Sequence, residues 1–173
     1  MQKVRRAVGV IVIRDSKVLM LKRRENDRAF PGSWCFPGGK CDDQCGKEEP
    51  FLFAILRETL EETGQKLKSI RLDGRRKTTK PDNLGQIYDI AVFYGSFDGD
   101  VELSDEHEEF RWVTPEEALL LPVAGEVTRD LLEELKALKE DLSSMLHKRT
   151  IARTKEIRDT LARGEDPNTM RFS

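Results

Sequence analysis

The segment Arg57-Glu58-Thr59-Leu60-Glu61-Glu62-Thr63-Gly64 decides how the rest of this chain is read. From about Pro50 to Thr63 the pattern predicts a helix. Proline suits its first turn, Glu48 and Glu49 favour the positive end of the helix dipole, and Gly64 supplies a stop. Phe51, Leu52, Ile55, Leu56 and Thr59 make the expected buried stripe. On such a helix Glu58, Glu61 and Glu62 stand at i, i+3 and i+4 and share one face. Each like-charge pair at this spacing costs about 0.2–0.5 kcal/mol on an exposed helix, and more where water is excluded. Arg57 can relieve Glu61 at i+4, but it cannot neutralise three carboxylates; a hard cation can. Oxygen donors of this kind suit Mg²⁺ or Mn²⁺, which keep several waters and share coordination with phosphates. Such ions draw charge from a bridging pyrophosphate and lower the pKa of a bound water, so metal-assisted phosphoanhydride hydrolysis is the chemistry that fits. Taken alone, the triplet reads more readily as a solvated charged face.

The surroundings reverse that balance. Gly39, Glu49 and the run from Arg57 to Gly64 resemble the Nudix box, G-x5-E-x7-R-E-U-x-E-E-x-G-U with U aliphatic, and from Glu49 to Gly64 the charged and glycine positions match without a gap. The preceding Trp34-Cys35-Phe36-Pro37-Gly38-Gly39-Lys40 is similar to the segment that leads into the box. The chain departs from the pattern in three places. Nine residues separate Gly39 from Glu49 instead of five, so Lys40 to Glu48 carries a four-residue insertion, and Thr59 and Gln65 occupy usually aliphatic positions. The insertion bears on the loop geometry and on the role of Glu49; the polar replacements bear on packing.

The resemblance implies an α/β (α+β) fold of Nudix type, a mixed β-sheet sandwiched between helices with a C-terminal helical extension. It divides the chain into a Nudix hydrolase domain over residues 1–146 and an extension and tail over 147–173. It also implies a metal-dependent pyrophosphohydrolase. By that resemblance Glu61 and Glu62 ligate Mg²⁺ or Mn²⁺, Glu58 is a third ligand or positions the attacking water, and Gly39 offers its carbonyl. Arg57 holds the glutamates in place, with Glu49 a weaker supporting residue. A general base from outside the box is sought in Ser104-Asp105-Glu106-His107-Glu108-Glu109-Phe110-Arg111-Trp112, where Glu106 is preferred and Glu109 stands behind it.

Residues 4–13 and 17–22 read as a hairpin turning at Asp15-Ser16, and 25–33 as a polar loop. Pro37-Gly38-Gly39 forces a sharp, backbone-exposing turn. Residues 66–78 and 86–97 read as strands, Phe110 to Val113 as a further short strand, and Thr114 as the cap of a helix. A long helix is expected from about Gly125 to Met145, with Leu131, Leu135, Leu138, Leu142 and Met145 spaced by four and three. Residues 148–163 could continue as a charged helix.

Among 173 residues, 30 basic and 32 acidic side chains leave a formal charge of −2, so no global field recruits nucleic acid or an anionic membrane. A nucleotide must be gripped locally. Arg23, Arg76 and Lys40 are the candidate phosphate contacts, with solvated surface charge as the plainer reading for most such residues. Phe30, Trp34, Phe36, Tyr88 and Tyr94 are the candidate base contacts, Phe36 being carried as a substrate-binding residue even though core packing is the better reading for it and Tyr94, whose neighbours have strand character. Basic residues 3–6 precede an apolar run too short for a signal peptide and without a cleavage site, so a buried strand and cytoplasmic residence are expected. Cys35, Cys41 and Cys45 are an odd count, which argues for free thiols; the spacing of Cys41 and Cys45, with His107 or His147, does not suit a zinc site. Pro81, sixteen positions after Gln65, is similar to the marker of ADP-ribose hydrolases. The expected substrate is a nucleoside diphosphate linked to another group, such as ADP-ribose. The alternatives are a nucleoside triphosphate pyrophosphohydrolase and a catalytically silent nucleotide-binding domain. The extension leaves a homodimer open.

Overall fold

The computed structural model describes residues 4–44, 47–82, 84–138 and 163. In chain order the elements are β1 (Val4–Arg14), β2 (Lys17–Arg23), β3 (Trp34–Cys35), β4 (Gly38–Lys40), β5 (Asp43–Gln44) and β6 (Lys47–Glu48). Then come α1 (Phe51–Thr63), β7 (Ser69–Thr78), β8 (Ile87–Ser96), β9 (His107–Val113), α2 (Pro115–Ala118) and α3 (Gly125–Ala137). Asp15 and Ser16 both take positive φ, 49° and 59°, the twist that lets β1 turn tightly into β2.

The sheet runs β3-β2-β1-β8-β7, with β9 on the free side of β2 and β4 pairing with β1. β1 runs parallel to β8 and antiparallel to β2 and β4. A central strand must be apolar on both faces, and Val10, Ile11 and Val12 are fully buried. Their alternation divides the interior in two. Val8, Val10, Val12, Leu19, Leu21 and Phe93 pack against Phe51, Leu52 and Ile55 of α1. Ile11, Ile13, Val18, Met20 and Val92 pack against Leu131, Leu132 and Leu135 of α3. The mixed sheet is therefore held between helices, as expected.

Several expectations need correction. Leu56 is 37% exposed, because the buried stripe of α1 runs through Phe51, Leu52, Ile55, Thr59, Glu62 and Thr63, leaving Leu56 on its solvent flank. Thr59 tolerates an aliphatic site because its hydroxyl donates to the Ile55 carbonyl at 2.7 Å; Thr63 does the same to Thr59 at 2.6 Å. β9 starts at His107, three residues earlier than expected. Leu138 is 42% exposed at the end of α3, so the described leucine stripe stops at Leu135. Leu142, Met145, the helix expected over 148–163 and all of 147–173 except Arg163 lie outside the described residues, as does Cys45. No helix among the described residues is long and apolar enough to cross a membrane.

Candidate active site

β4 and α1 meet at the glycine pair. A Cβ on Gly38, whose φ is 150°, would sit 2.2 Å from the Val8 carbonyl oxygen, and one on Gly39 would sit 2.5 Å from the Glu58 carboxylate. The backbone clash and positive φ require glycine at Gly38, whereas a side chain at Gly39 would displace the Glu58 carboxylate. Glu62, 4% exposed, accepts the Gly38 N–H at 2.7 Å through Oε2. Glu58 is largely buried, whereas Glu61 is more than half exposed.

Arg57 ties these groups together. Its Nε and Nη2 donate to the two oxygens of Glu49 at 3.0 and 2.7 Å, a bidentate pairing. Nη1 donates to Glu58 at 2.9 Å and to Glu61 at 3.0 Å, and Nη2 also reaches the Lys40 carbonyl at 3.1 Å. The insertion does not disturb this. It folds into the β5–β6 hairpin, and at its base the Glu49 N–H donates to the Asp42 carbonyl at 2.8 Å while the Asp42 N–H donates to the Glu49 carboxylate at 3.0 Å. Glu49 therefore still faces Arg57, whose hydrogen bonds hold its pKa below the usual carboxylate range.

Charge on this face is only partly compensated. Burial raises the Glu58 pKa, opposed by Arg57 and reinforced by Glu61 and Glu106. Burial raises Glu62 well above its ordinary value, opposed by the Gly38 N–H and reinforced by Glu58 and Glu106. Glu106, exposed just before β9, thus acts on both buried glutamates. Glu109 is paired with Arg111 at 2.6 Å.

One residue at this face carried no role in the sequence reading beyond a dismissed zinc site. His107 is 3% exposed, with Nε2 3.7 Å from Glu62 Oε1 and 3.9 Å from Cys35 Sγ. Burial, then the charge of Arg23, pushes its pKa down to about 4, so the ring is neutral at neutral pH. Strand alternation alone would place it with Glu109 and Arg111, on the face away from Glu62. Burial also pushes the thiols of Cys35 and Cys41 up to about 12 and about 11, which excludes either as a thiolate nucleophile near pH 7.

A cavity of about 440 Å³ opens beside the glycine pair, lined among others by Arg23, Phe30, Phe36, Lys40, Pro81 and Tyr88. Arg23 is fixed in its wall by the Ala29 carbonyl at 2.8 Å and Asp27 at 2.5 Å. Phe36 both lines the cavity and belongs to the core against α3. Arg76 does not line this cavity: it pairs with Asp89 and stacks on Phe51, 4.7 Å from the ring centroid.

The NUDIX domain family model matches residues 3–135. The chain belongs to the Nudix family. It is 31% identical over 125 residues to a nucleoside triphosphatase NudI of Salmonella agona, covering 67% of this chain and 86% of that protein. The crystal structure of the MutT protein from Methanosarcina mazei superposes with a TM-score of 0.67 at 26% identity, covering 80% of this chain and 98% of that one. The NUDIX domain of Shewanella oneidensis NrtR, solved with ADP ribose, shares the fold at 20% identity and a TM-score of 0.62, with 79% and 89% covered.

This Nudix protein is a hydrolase acting on phosphorus-containing anhydrides, and Nudix hydrolases generally need divalent metal ions. Among the described residues no three acidic, histidine or cysteine side chains converge closely enough to form a ready-made metal cage. Mg²⁺ does not require one, because it keeps several waters and binds through one or two carboxylates plus substrate phosphates. The residues present fit that need: hard oxygen donors, mutually repelling Glu58, Glu62 and Glu106, and a strand with no side chain between it and Glu58.

Proposed function

We propose that this Nudix hydrolase converts a nucleoside triphosphate to a nucleoside monophosphate and pyrophosphate. The observation that carries the hydrolytic reading is the charge-loaded pair of buried Glu62 and largely buried Glu58 against Gly38 and Gly39, at the edge of a cavity whose roughly 440 Å³ suits one small-molecule moiety. Glu61, Glu62 and the Gly39 carbonyl would hold Mg²⁺ or Mn²⁺, with Glu58 a further ligand or the group that orients water. The ion, when bound, supplies charge neutralisation for the phosphates and acidifies water.

The chain's own residues do the rest. The Gly38 N–H and Arg57 fix the directions of Glu62, Glu58 and Glu61, so little reorganisation accompanies charge development. Glu106 takes the proton of the attacking water. Arg23 and Lys40 meet phosphate charge, and Phe36 offers an apolar face to the nucleoside. Arg76 would contribute only through a substrate long enough to leave this cavity.

The nucleoside triphosphatase relatives, matched over two-thirds of this chain, favour triphosphates over the diphosphate-linked substrate first expected. A second reading keeps that substrate class, because Pro81 lines the cavity and a structural relative binds ADP ribose. Product analysis across nucleoside triphosphates and nucleoside diphosphate sugars, with Mg²⁺ and with Mn²⁺, separates them. Pyrophosphate as co-product from a triphosphate is expected; turnover confined to diphosphate-linked substrates overturns the proposal. Binding without turnover under either ion would instead mark a silent nucleotide-binding domain.

A further inference from the structure

β9 is not a regular strand where it reaches the site. Its pairing with β2 runs Leu21 opposite Phe110 and Lys22 opposite Glu109, then skips, so that Arg23 stands opposite His107 rather than Glu108. Directly opposed residues of an antiparallel pair share a face. A regular ladder would therefore have pointed Glu108 to the same side as Arg23, adding another carboxylate. The bulge removes Glu108 from that position, and its carboxylate pairs with Lys22 at 2.5 Å. His107 takes the inward place and lies against Glu62 with its side chain 1% exposed. Bulges recur beside active sites because one extra residue re-aims a side chain.

We propose that His107 is a positioning residue for the metal-binding carboxylate: its Nε2–H faces Glu62 Oε1 while the Gly38 N–H holds Oε2, so that Glu62 is gripped from both ends. The contact is 3.7 Å, a dipolar contact rather than a formed hydrogen bond. Nδ1 has no hydrogen-bond partner among the described residues. The alternative tautomer would bury an unmatched N–H there; the Nε2–H form instead leaves only an unpaired lone pair. Partners of this kind orient metal ligands, and losing one typically weakens metal affinity or activity by about 10–100-fold.

The inference rests on the metal reading of Glu62 given above. It is tested on the full chain by Mn²⁺ titration followed by electron paramagnetic resonance, beside metal-free thermal unfolding and turnover. His107→Phe keeps the ring's bulk and removes the N–H; it should weaken Mn²⁺ binding and lower kcat by about 10–100-fold. His107→Gln retains an N–H donor and should recover most of the affinity. In a Glu62→Gln background the phenylalanine substitution should cost little further turnover, since a residue acting through Glu62 has nothing left to position. Should His107→Phe not fold, His107→Met carries the same comparison. Wild-type Mn²⁺ affinity in the phenylalanine or methionine variant overturns the proposal, as do equal losses in the glutamine and phenylalanine variants that track a fall in Tm. A wild-type chain with no saturable Mn²⁺ site overturns the metal reading itself, and the inference with it.

Discussion

Glu62 is held in a place where its charge is unwelcome without a cation. Below the ordinary carboxylate range both the folded and unfolded chains carry its proton. Above that range the unfolded chain ionises while folded Glu62 keeps its proton, so metal-free stability falls as pH rises toward the raised value. Glu62→Gln should therefore raise, or leave unchanged, the metal-free urea midpoint at neutral pH. The same substitution should lower kcat by about 10²- to 10⁴-fold, equivalent to about 3–5 kcal/mol of transition-state stabilisation. Near-normal turnover would remove Glu62 from the metal site. His107 acts with the opposite sign. Its folded pKa of about 4 lies below the free value of 6.5, so its contribution is complete above pH 6.5 and is lost as pH falls toward 4, by about 3 kcal/mol. Urea titrations from pH 7 to 4 should show this acid limb in the wild type and a flatter one in His107→Gln; identical limbs would exclude His107 as its cause. The glutamates were legible in the sequence because helical spacing alone places them on one face. The burial of His107 was not, because it depends on a one-residue bulge that strand alternation cannot reveal.

At the level of elements, the inserted segment ahead of Glu49 closes on itself. Asp42 and Glu49 exchange backbone and side-chain hydrogen bonds at its base, so the extra residues project as a hairpin while the Glu49–Arg57 pairing survives. Deleting residues 43–46 restores the five-residue spacing and should leave kcat/KM within about tenfold, since loop length alone adds little free energy. Arg57→Lys should cost more than this deletion, because an ammonium cannot reproduce the fork that serves Glu49, Glu58 and Glu61 together. Steady-state kinetics on both variants checks the ordering; a deletion more damaging than Arg57→Lys would mean the hairpin touches substrate. The main strands and α1 were legible from periodicity and from the Gly64 stop, while Pro50 sits at the N-cap, ahead of the first turn in which it was expected. Leu56 was misplaced because the helix buries Glu62 and Thr63 on the stripe an apolar count would not choose.

Over the whole molecule, the β1–β8 parallel pair builds a sheet with α1 on one face and α3 on the other, and the candidate site forms where the glycine strand leaves β1. This layering could be read from the sequence only through the resemblance, since short apolar segments do not state which strands are neighbours. The family match ends at residue 135, just short of the end of α3. We propose that residues 1–146 form the catalytic domain and that 147–173 are dispensable for turnover. A chain ending at Leu146 should keep kcat/KM within about threefold, and sedimentation of both chains tests the homodimer: a halved mass assigns self-association to the extension, an unchanged one excludes it. The most direct test of the whole proposal is ³¹P NMR of the protein with a nucleoside triphosphate. With Mg²⁺, resonances of a nucleoside monophosphate and pyrophosphate should grow together, and a chelator should stop them; undiminished hydrolysis in the chelator, or none with either Mg²⁺ or Mn²⁺, would contradict it.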